Sequence, residues 1–333
     1  MIVARKLSKG LERILMTTTQ SAAQSQVANH ILLVRPSNFG YNPCTASSNA
    51  FQQLPDKEPG KNYNTLAVEE FERLRIALVE IGVQVTVFED TPHPPKSDAI
   101  FPNNWFSTHQ ICDNGKIHRK MLLYPMYSPN RRPERREDII AEFSKKFEEL
   151  EIHDLSHFER KNLYLESTGS IIFDHNHKIA YACRSIRTHQ EPFDYVCKLL
   201  GYKGIMFDAF DPNQLPIYHT NVIMAIGRYH AVICLACIPQ AERLQVVDAL
   251  EKSGKTIVDL NFDQIESFAG NMLEVRGDKG NYWVMSESAF QSLDAGQKSE
   301  LSKECELLAV PIATIEQLGG GSIRCMMGEI YFE

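Results

Sequence analysis

The sequence predicts an α/β fold in which one unit, strand–hairpin–strand–helix–strand, recurs five times in a radial or stacked array. Three observations carry that expectation. Strand-like runs alternate with helical ones along the whole chain from residue 30. A polar residue stands just before the first hairpin strand of successive units, at Asn104, Glu166, His219, Asn271 and Cys325, with gaps of 62, 53, 52 and 54 residues. A fixed period near 50 with one such unit per repeat is the mark of a propeller or solenoid. Finally, a strand-like run over 326–332 is placed to close a ring against the first unit.

The first unit reads as a strand over 30–35 (HILLVR), a Pro- and Gly-punctuated loop to about 61, and a helix over 63–81. That helix carries Leu66, Phe71, Leu74, Ile76, Leu78 and Ile81 as its apolar face, and Gly82 stops it. The alternating run VQVTVF follows as a strand over 83–88. The second unit has strands over 100–108 and 117–124 across the turn Asp113-Asn114-Gly115, then a charged helix over 133–150. Its RRPERRED start mixes four Arg with three acids and reads as a solvated loop and helix start, not a phosphate site.

Units three and four repeat the order. Strands over 170–173 and 178–183 flank the turn Asp174-His175-Asn176-His177, followed by a helix over 191–200 and a strand over 204–207. Strands over 222–225 and 230–238 flank the turn Ile226-Gly227-Arg228-Tyr229, followed by a helix over 239–253 and a strand over 256–260. The fifth runs from Asn271 through a hairpin at 277–280 to a helix over 295–308 and Pro311.

With 333 residues and 43% hydrophobic content, the chain can bury a sizeable core, and residues 29–333 read as a single domain. Residues 1–28 read as a mobile extension. Their early Arg5, Lys6, Lys9 and Arg13 suit a transit-type peptide or an upstream segment with Met16 as the working start, the second being preferred. A formal charge of −7 argues against nucleic acid or anionic lipid as the main partner, and no apolar run reaches membrane-spanning length. Eight scattered cysteines without framework spacing fit reduced thiols in the cytoplasm. Cys234 and Cys237 fall in an apolar strand and face opposite sides, and His175 and His177 fall in a surface turn, so no metal site is expected. Trp105 and Phe106 read as blade packing, and Asn271 as either a structural amide or a substrate contact.

Five units around one axis would gather the recurrent Cys, His, Glu and two Asn at one pocket. A thiol, an imidazole and a carboxylate together are what nucleophilic catalysis at a trigonal carbon requires. Cys325 is then the nucleophile, His219 the general acid/base and Glu166 its orienting partner. The loop Gly319-Gly320-Gly321 and the neighbouring Arg324 would favour the thiolate.

At these residues the sequence resembles the guanidine-modifying enzymes of the five-bladed pentein fold, a ββαβ propeller with pseudo-fivefold repeat. These include dimethylarginine dimethylaminohydrolases, arginine deiminases and glycine amidinotransferases. The likeness extends over about residues 29–333 and is nearest to the amidinotransferase-like citrulline-utilisation hydrolases. GGGSIRCM is similar to the family's nucleophile loop, His219-Thr220-Asn221 to its catalytic-His motif, and Glu166-Ser167-Thr168-Gly169 to its acidic element. Ser185-Ile186-Arg187-Thr188 resembles an element whose Arg binds a substrate carboxylate, and the segment from Asp98 to Asn104 one whose first Asp holds the substrate amino group.

Two departures bear on the substrate. Asn104 and Asn221 stand where guanidine-processing relatives place Asp. A buried guanidinium wants carboxylates, whereas an amide both donates to a carbonyl and accepts from an N–H, which matches a neutral ureido group. The resemblance and these departures together imply a Cys-dependent hydrolase of a ureido or guanidino amino acid, with citrulline going to ornithine, ammonia and carbon dioxide. Asp98 and Arg187 would hold the amino-acid end, and Asn103, Asn104 and Asn221 the ureido end. No metal or organic cofactor is needed, the expected partner is a small amino acid, and a homodimer is left open. The alternatives are an arginine deiminase or amidinotransferase in the same fold, or a propeller that binds without chemistry.

Overall fold

The computed structural model describes residues 25–55, 62–113 and 115–332. Residues 1–24 of the extension expected over 1–28, the end of the first polar loop at 56–61 and Asn114 of the predicted turn lie outside the described residues.

Fifteen described strands form five three-stranded sheets of one topology: an antiparallel pair and a third strand parallel to its middle member. In the first blade, β1 (His30–Arg35) runs parallel to β2 (Gln84–Glu89), with His30 opposite Gln84 and Arg35 opposite Glu89. The second blade is β3 (Phe106–Asp113), β4 (Lys116–Leu123) and β5 (Leu150–Asp154). The third is β6 (Ile172–Asp174), β7 (Ile179–Cys183) and β8 (Lys203–Phe207). The fourth is β9 (Met224–Ile226), β10 (His230–Ile233) and β11 (Thr256–Asp259), and the fifth β12 (Leu273–Arg276), β13 (Asn281–Ser286) and β14 (Glu306–Val310). β15 (Gly328–Glu329) then returns antiparallel to β1, pairing Gly328 with Leu32, so the first and last described strands build the first blade.

A helix joins the second and third strand of each blade, and the blades bury their faces on these helices and on one another. The helix Tyr63–Glu80 starts on Asn62, whose side chain accepts from the Thr65 amide, and turns Ala67, Phe71, Leu74 and Leu78 inward. Ile76, expected on that face, is 45% exposed: positions 67, 71, 74 and 78 follow the helical spacing, and 76 does not. The helix Gln190–Leu200 buries Phe193, Val196, Cys197 and Leu200 and ends on Gly201 at φ 72°, as a left-handed cap requires.

Successive blade corners are stitched together by side chains. Thr168 Oγ1 donates to Asn103 O, Thr220 Oγ1 to Ser170 O, and Asn271 Nδ2 to Asn221 O, at 3.2, 2.6 and 3.0 Å. The Arg324 amide donates to Asn271 Oδ1 at 3.1 Å, and Thr108 Oγ1 donates to Glu329 O at 2.9 Å, which completes the ring. Each bond fixes a corner by its neighbour and not by solvent.

Several sequence expectations need correction. The domain reaches further back than residue 29: Gln26, Val27 and Ala28 are buried, and the Gln26 amide bridges two blades through Phe173 O, Ile226 O and the His175 amide. The charged segment is not one helix over 133–150 but the 3₁₀ turn Pro129–Glu134, the helix Glu137–Lys146 and β5. The helix of the fifth unit is shorter, Ala295–Leu301 preceded by Glu287–Ser292, because the apolar run from 306 is the strand β14. Cys234 and Cys237 lie on the 3₁₀ turn Leu235–Cys237 and its cap, not within a strand. His175 is buried, stacked on Phe173 and hydrogen-bonded through Nδ1 to Tyr202 Oη at 2.7 Å, whereas His177 is the surface partner of Asp174. Among the described residues no group of three or more His, Cys, Asp or Glu side chains could hold a metal ion, and no helix is long and apolar enough to cross a membrane.

Candidate active site

The recurrent polar residues come together because each stands at the same corner, just before the first strand of its blade. Asn104 ends the 3₁₀ turn Pro102–Asn104 before β3, Glu166 caps the one-turn helix Ser167–Ser170 before β6, and His219 caps the turn Thr220–Val222 before β9. Asn271 lies two residues before β12, and Cys325 lies on the one-turn helix Ile323–Met326 before β15. All five are buried. The sulfur, expected between the glycine loop and a strand over 326–332, is held on a helical turn, and that strand is only Gly328–Glu329.

Glu166 Oε2 is 2.8 Å from His219 Nε2 and 3.4 Å from Arg187 Nη1, while its Oε1 accepts from the Tyr127 amide at 3.0 Å. Burial alone would raise this carboxyl; the Arg187 guanidinium and the His219 bond hold it well below the usual carboxylate range. Burial pushes the His219 imidazole down to about 4, against the pull of Glu166, so the ring is neutral at pH 7. A carboxylate only accepts, which puts the ring proton on Nε2 and leaves Nδ1 as a bare acceptor. Nδ1 faces Gly169: a Cβ there would meet it at 2.9 Å and the Asn104 Nδ2 at 2.4 Å. Glycine at 169 therefore lets the imidazole and the amide pack side by side against its backbone.

Two amides hold the thiol. Asn221 Nδ2 lies 3.4 Å and Asn271 Nδ2 3.3 Å from Cys325 Sγ. Asn271, left open between two roles, thus both touches the sulfur and fixes the backbone that presents it. Arg324 plays another part from the one expected: its guanidinium turns away to Glu329 Oε2 and Met327 O. Among the described residues no hydrogen bond joins Cys325 to His219, yet both line one cavity with Asp98, Asn104 and Arg187. Asn103 is not part of that wall in the described structure; its buried amide has no protein partner.

Arg187 reaches the cavity because Ser185-Ile186-Arg187-Thr188 folds into a tight turn. Ser185 Oγ accepts from the Arg187 amide at 3.1 Å and donates to Tyr218 O at 2.7 Å. Its guanidinium lies over the Tyr218 ring, 4.9 Å from the centroid, and donates to Ser48 Oγ at 2.7 Å and Thr45 O at 3.3 Å. Asn42 Nδ2 donates to Asp98 Oδ2 at 2.8 Å, and Asn49 Nδ2 to Gly320 O at 3.1 Å. Residues 42–52 so cover the site, and the cavity beneath is about 20 Å³, room for a water and not for an amino acid. An adjoining groove of about 990 Å³, lined by Ser48, Phe51, Leu215 and Phe268 among others, opens on the far side of that cover.

Sequence reasoning missed Arg131 and Glu134. The RRPERRED segment is solvated only in part: Arg131 and Glu134 are buried as a bidentate pair at 2.9 and 2.8 Å, with Asp98 Oδ2 at 3.4 Å and Asn104 Oδ1 at 3.0 Å from the guanidinium. The i, i+3 spacing of Arg131 and Glu134 was the available signal, but such spacing is as common on a wet surface.

The family model for N,N dimethylarginine dimethylhydrolase, eukaryotic, matches residues 35–332. No curated protein sequence matches the chain. Among solved structures, a substrate-bound cysteine-to-serine mutant of the N-terminal domain of ArgZ, an arginine dihydrolase from the ornithine-ammonia cycle in Cyanobacteria, is similar with TM-score 0.69 and 15% identity, over 91% of this chain and 98% of that one. Against full-length ArgZ the TM-score is 0.67 at 15% identity, over 91% of this chain, which spans only 41% of that protein. A His-to-Gly mutant of dimethylarginine dimethylaminohydrolase, as its adduct with S-methyl-L-thiocitrulline, gives TM-score 0.58 and 14% identity over 91% of this chain and all 100% of that one. At such identities the likeness is one of fold.

Proposed function

The chain belongs to the eukaryotic N,N-dimethylarginine dimethylhydrolase family, and from that premise we propose a thiol hydrolase of carbon–nitrogen bonds whose substrate is a ureido amino acid, citrulline first. The observation that carries the substrate choice is the chemistry of the unpartnered atoms at the thiol. Asn104 Nδ2 is a buried donor without a protein acceptor, and Asn221 Oδ1 a buried acceptor without a protein donor. A ureido group offers one carbonyl oxygen and several N–H groups, which satisfies both; a guanidinium has no oxygen for the donor. The acid that sequence reading did not anticipate, Glu134, is occupied by Arg131 and is not part of the described cavity wall.

In this reading Asp98, whose Oδ1 is unpartnered, takes the α-amino group and Arg187 the α-carboxylate. The Cys325 sulfur attacks the ureido carbon, its proton passing to His219 Nδ1. Collapse of the tetrahedral adduct breaks the bond to the side-chain nitrogen, which takes that proton and leaves as ornithine. The remaining S-carbamoyl thioester is attacked by water, whose proton goes to His219. Carbamic acid leaves, the thiol is restored, and carbamic acid breaks down to ammonia and carbon dioxide. The neutral imidazole is the form that can accept both protons. Glu166 orients the ring and stabilises its transient cation. Residues 42–52 must shift to admit the substrate.

A guanidine substrate is the second reading, favoured by the family itself. Incubating the purified chain separately with citrulline, arginine and N,N-dimethylarginine, and measuring ornithine, citrulline and dimethylamine, separates the two. Ornithine formed fastest from citrulline is the expected result; faster turnover of arginine or dimethylarginine would remove the ureido reading.

A further inference from the structure

We propose that Arg131 is a positioning residue that sets substrate selection by locking the Asn104 side-chain amide in one orientation. The inference rests on the ureido reading above and goes beyond it. An amide can be turned end for end at little cost, and its two ends have opposite hydrogen-bonding character. Left alone, Asn104 could meet a carbonyl oxygen with its NH₂ or a guanidinium N–H with its oxygen, and would discriminate poorly.

Arg131 removes that choice. Its guanidinium can only donate, so the amide atom 3.0 Å from Nη1 must be Oδ1. Arg131 itself cannot swing away: Nε and Nη2 are both engaged by Glu134, Asp98 Oδ2 adds a second carboxylate, and the side chains of Arg131 and Glu134 are 4% and 2% exposed. A rigid fork of donors held in this way is what a guanidinium supplies and an ammonium does not. The NH₂ end is thereby packed with the His219 ring against Gly169, and Asn104 and His219 share the cavity wall with Cys325. That end has no protein acceptor. A donor from Asn104 and an acceptor from His219, neighbours on that wall, fit a carbonyl oxygen next to a nitrogen that must be protonated. A guanidinium placed there would bring N–H against N–H, and its charge would sit near Arg131.

The test measures kcat/KM for citrulline and for arginine in the wild type, in Arg131→Lys, in the paired change Arg131→Gln with Glu134→Gln, and in Asn104→Asp. The paired change removes both members of the bidentate ion pair, so neither is left buried without the other, and Asp98 keeps its bond from Asn42 Nδ2. The lock predicts that the citrulline-to-arginine ratio falls about 10- to 100-fold in the paired variant, the range for one buried hydrogen bond lost, chiefly through kcat, and falls in Arg131→Lys as well, since an ammonium cannot be held by Glu134 as the fork is. An equal loss for both substrates, with the ratio unmoved, overturns it. Should the paired variant not fold, Asn104→Asp decides: it retains a partner for Arg131 but cannot donate, so its ratio must also fall, and an unchanged ratio overturns the lock. The wild-type ratio separately judges the ureido reading, since a wild type that prefers arginine defeats that reading whichever way the variants move.

Discussion

Glu166 Oε2 is shared between the His219 ring, at 2.8 Å, and the Arg187 guanidinium, at 3.4 Å. One carboxylate therefore ties the group proposed to move protons to the group proposed to bind the substrate's carboxylate. Replacing it acts on both. Glu166→Gln should lower kcat by about 10²–10⁴-fold, because the ring loses its fixed tautomer and the partner of its cation. It also strands a buried Arg187, at a cost of about 3 kcal/mol in stability. Steady-state kinetics with urea unfolding checks both; a variant with near-normal kcat would show that Glu166 only supports the fold.

Cys325→Ala should abolish turnover, with the fold kept, since the sulfur's partners Asn221 and Asn271 also bond to each other. Circular dichroism and an ornithine assay read the two halves. Residual turnover within about 10-fold of wild type would exclude the thiol as nucleophile.

Gly169 has an ordinary backbone conformation, so alanine there is a test of space alone. The added Cβ would lie 2.4 Å from Asn104 Nδ2 and 2.9 Å from His219 Nδ1, and both groups must move. A displacement of this size is expected to cost about 10²-fold in kcat/KM and about 1–3 kcal/mol in stability. Unchanged kinetics in Gly169→Ala would mean that neither group needs its present position.

Four buried histidines give stability a defined pH dependence. Burial lowers His30 and His219 to about 4, His109 to about 3, and His175 well below its ordinary value. Between those values and about 6.5 the unfolded chain binds protons that the folded chain refuses. The stability is therefore fully present above about pH 6.5 and is lost as pH falls toward 4, on the order of 2–3 kcal/mol for each of His109 and His219. Urea midpoints measured from pH 8 to 5 should decline, and His109→Gln should flatten the decline. Midpoints that hold steady down to pH 5 would contradict it.

What the sequence made legible was the repeat. Asn104, Glu166, His219, Asn271 and Cys325 could be aligned because strand alternation and helix spacing are written locally, and a fixed corner in a recurring unit projects to one axis. Arg131 and Glu134 could not be found that way. Whether a run of Arg and Glu is wet or buried depends on which loop lies over it, and that is set by Asn42 and Asn130, far apart in the chain. The orientation of Arg324 was hidden for the same reason, since its partner Glu329 is positioned by the pairing of β15 with β1. The anchoring of Gln26 depends on two other blades and has no local sign.

The pairing of β15 with β1 also ties the sulfur to a distant stretch of chain. Cys325 is three residues from Gly328, which pairs with Leu32, so the thiol is seated only when the first blade has taken up its third strand. The other four blades form without that step. A molecule opened at this seam would keep the imidazole and the carboxylate in place and leave the sulfur adrift.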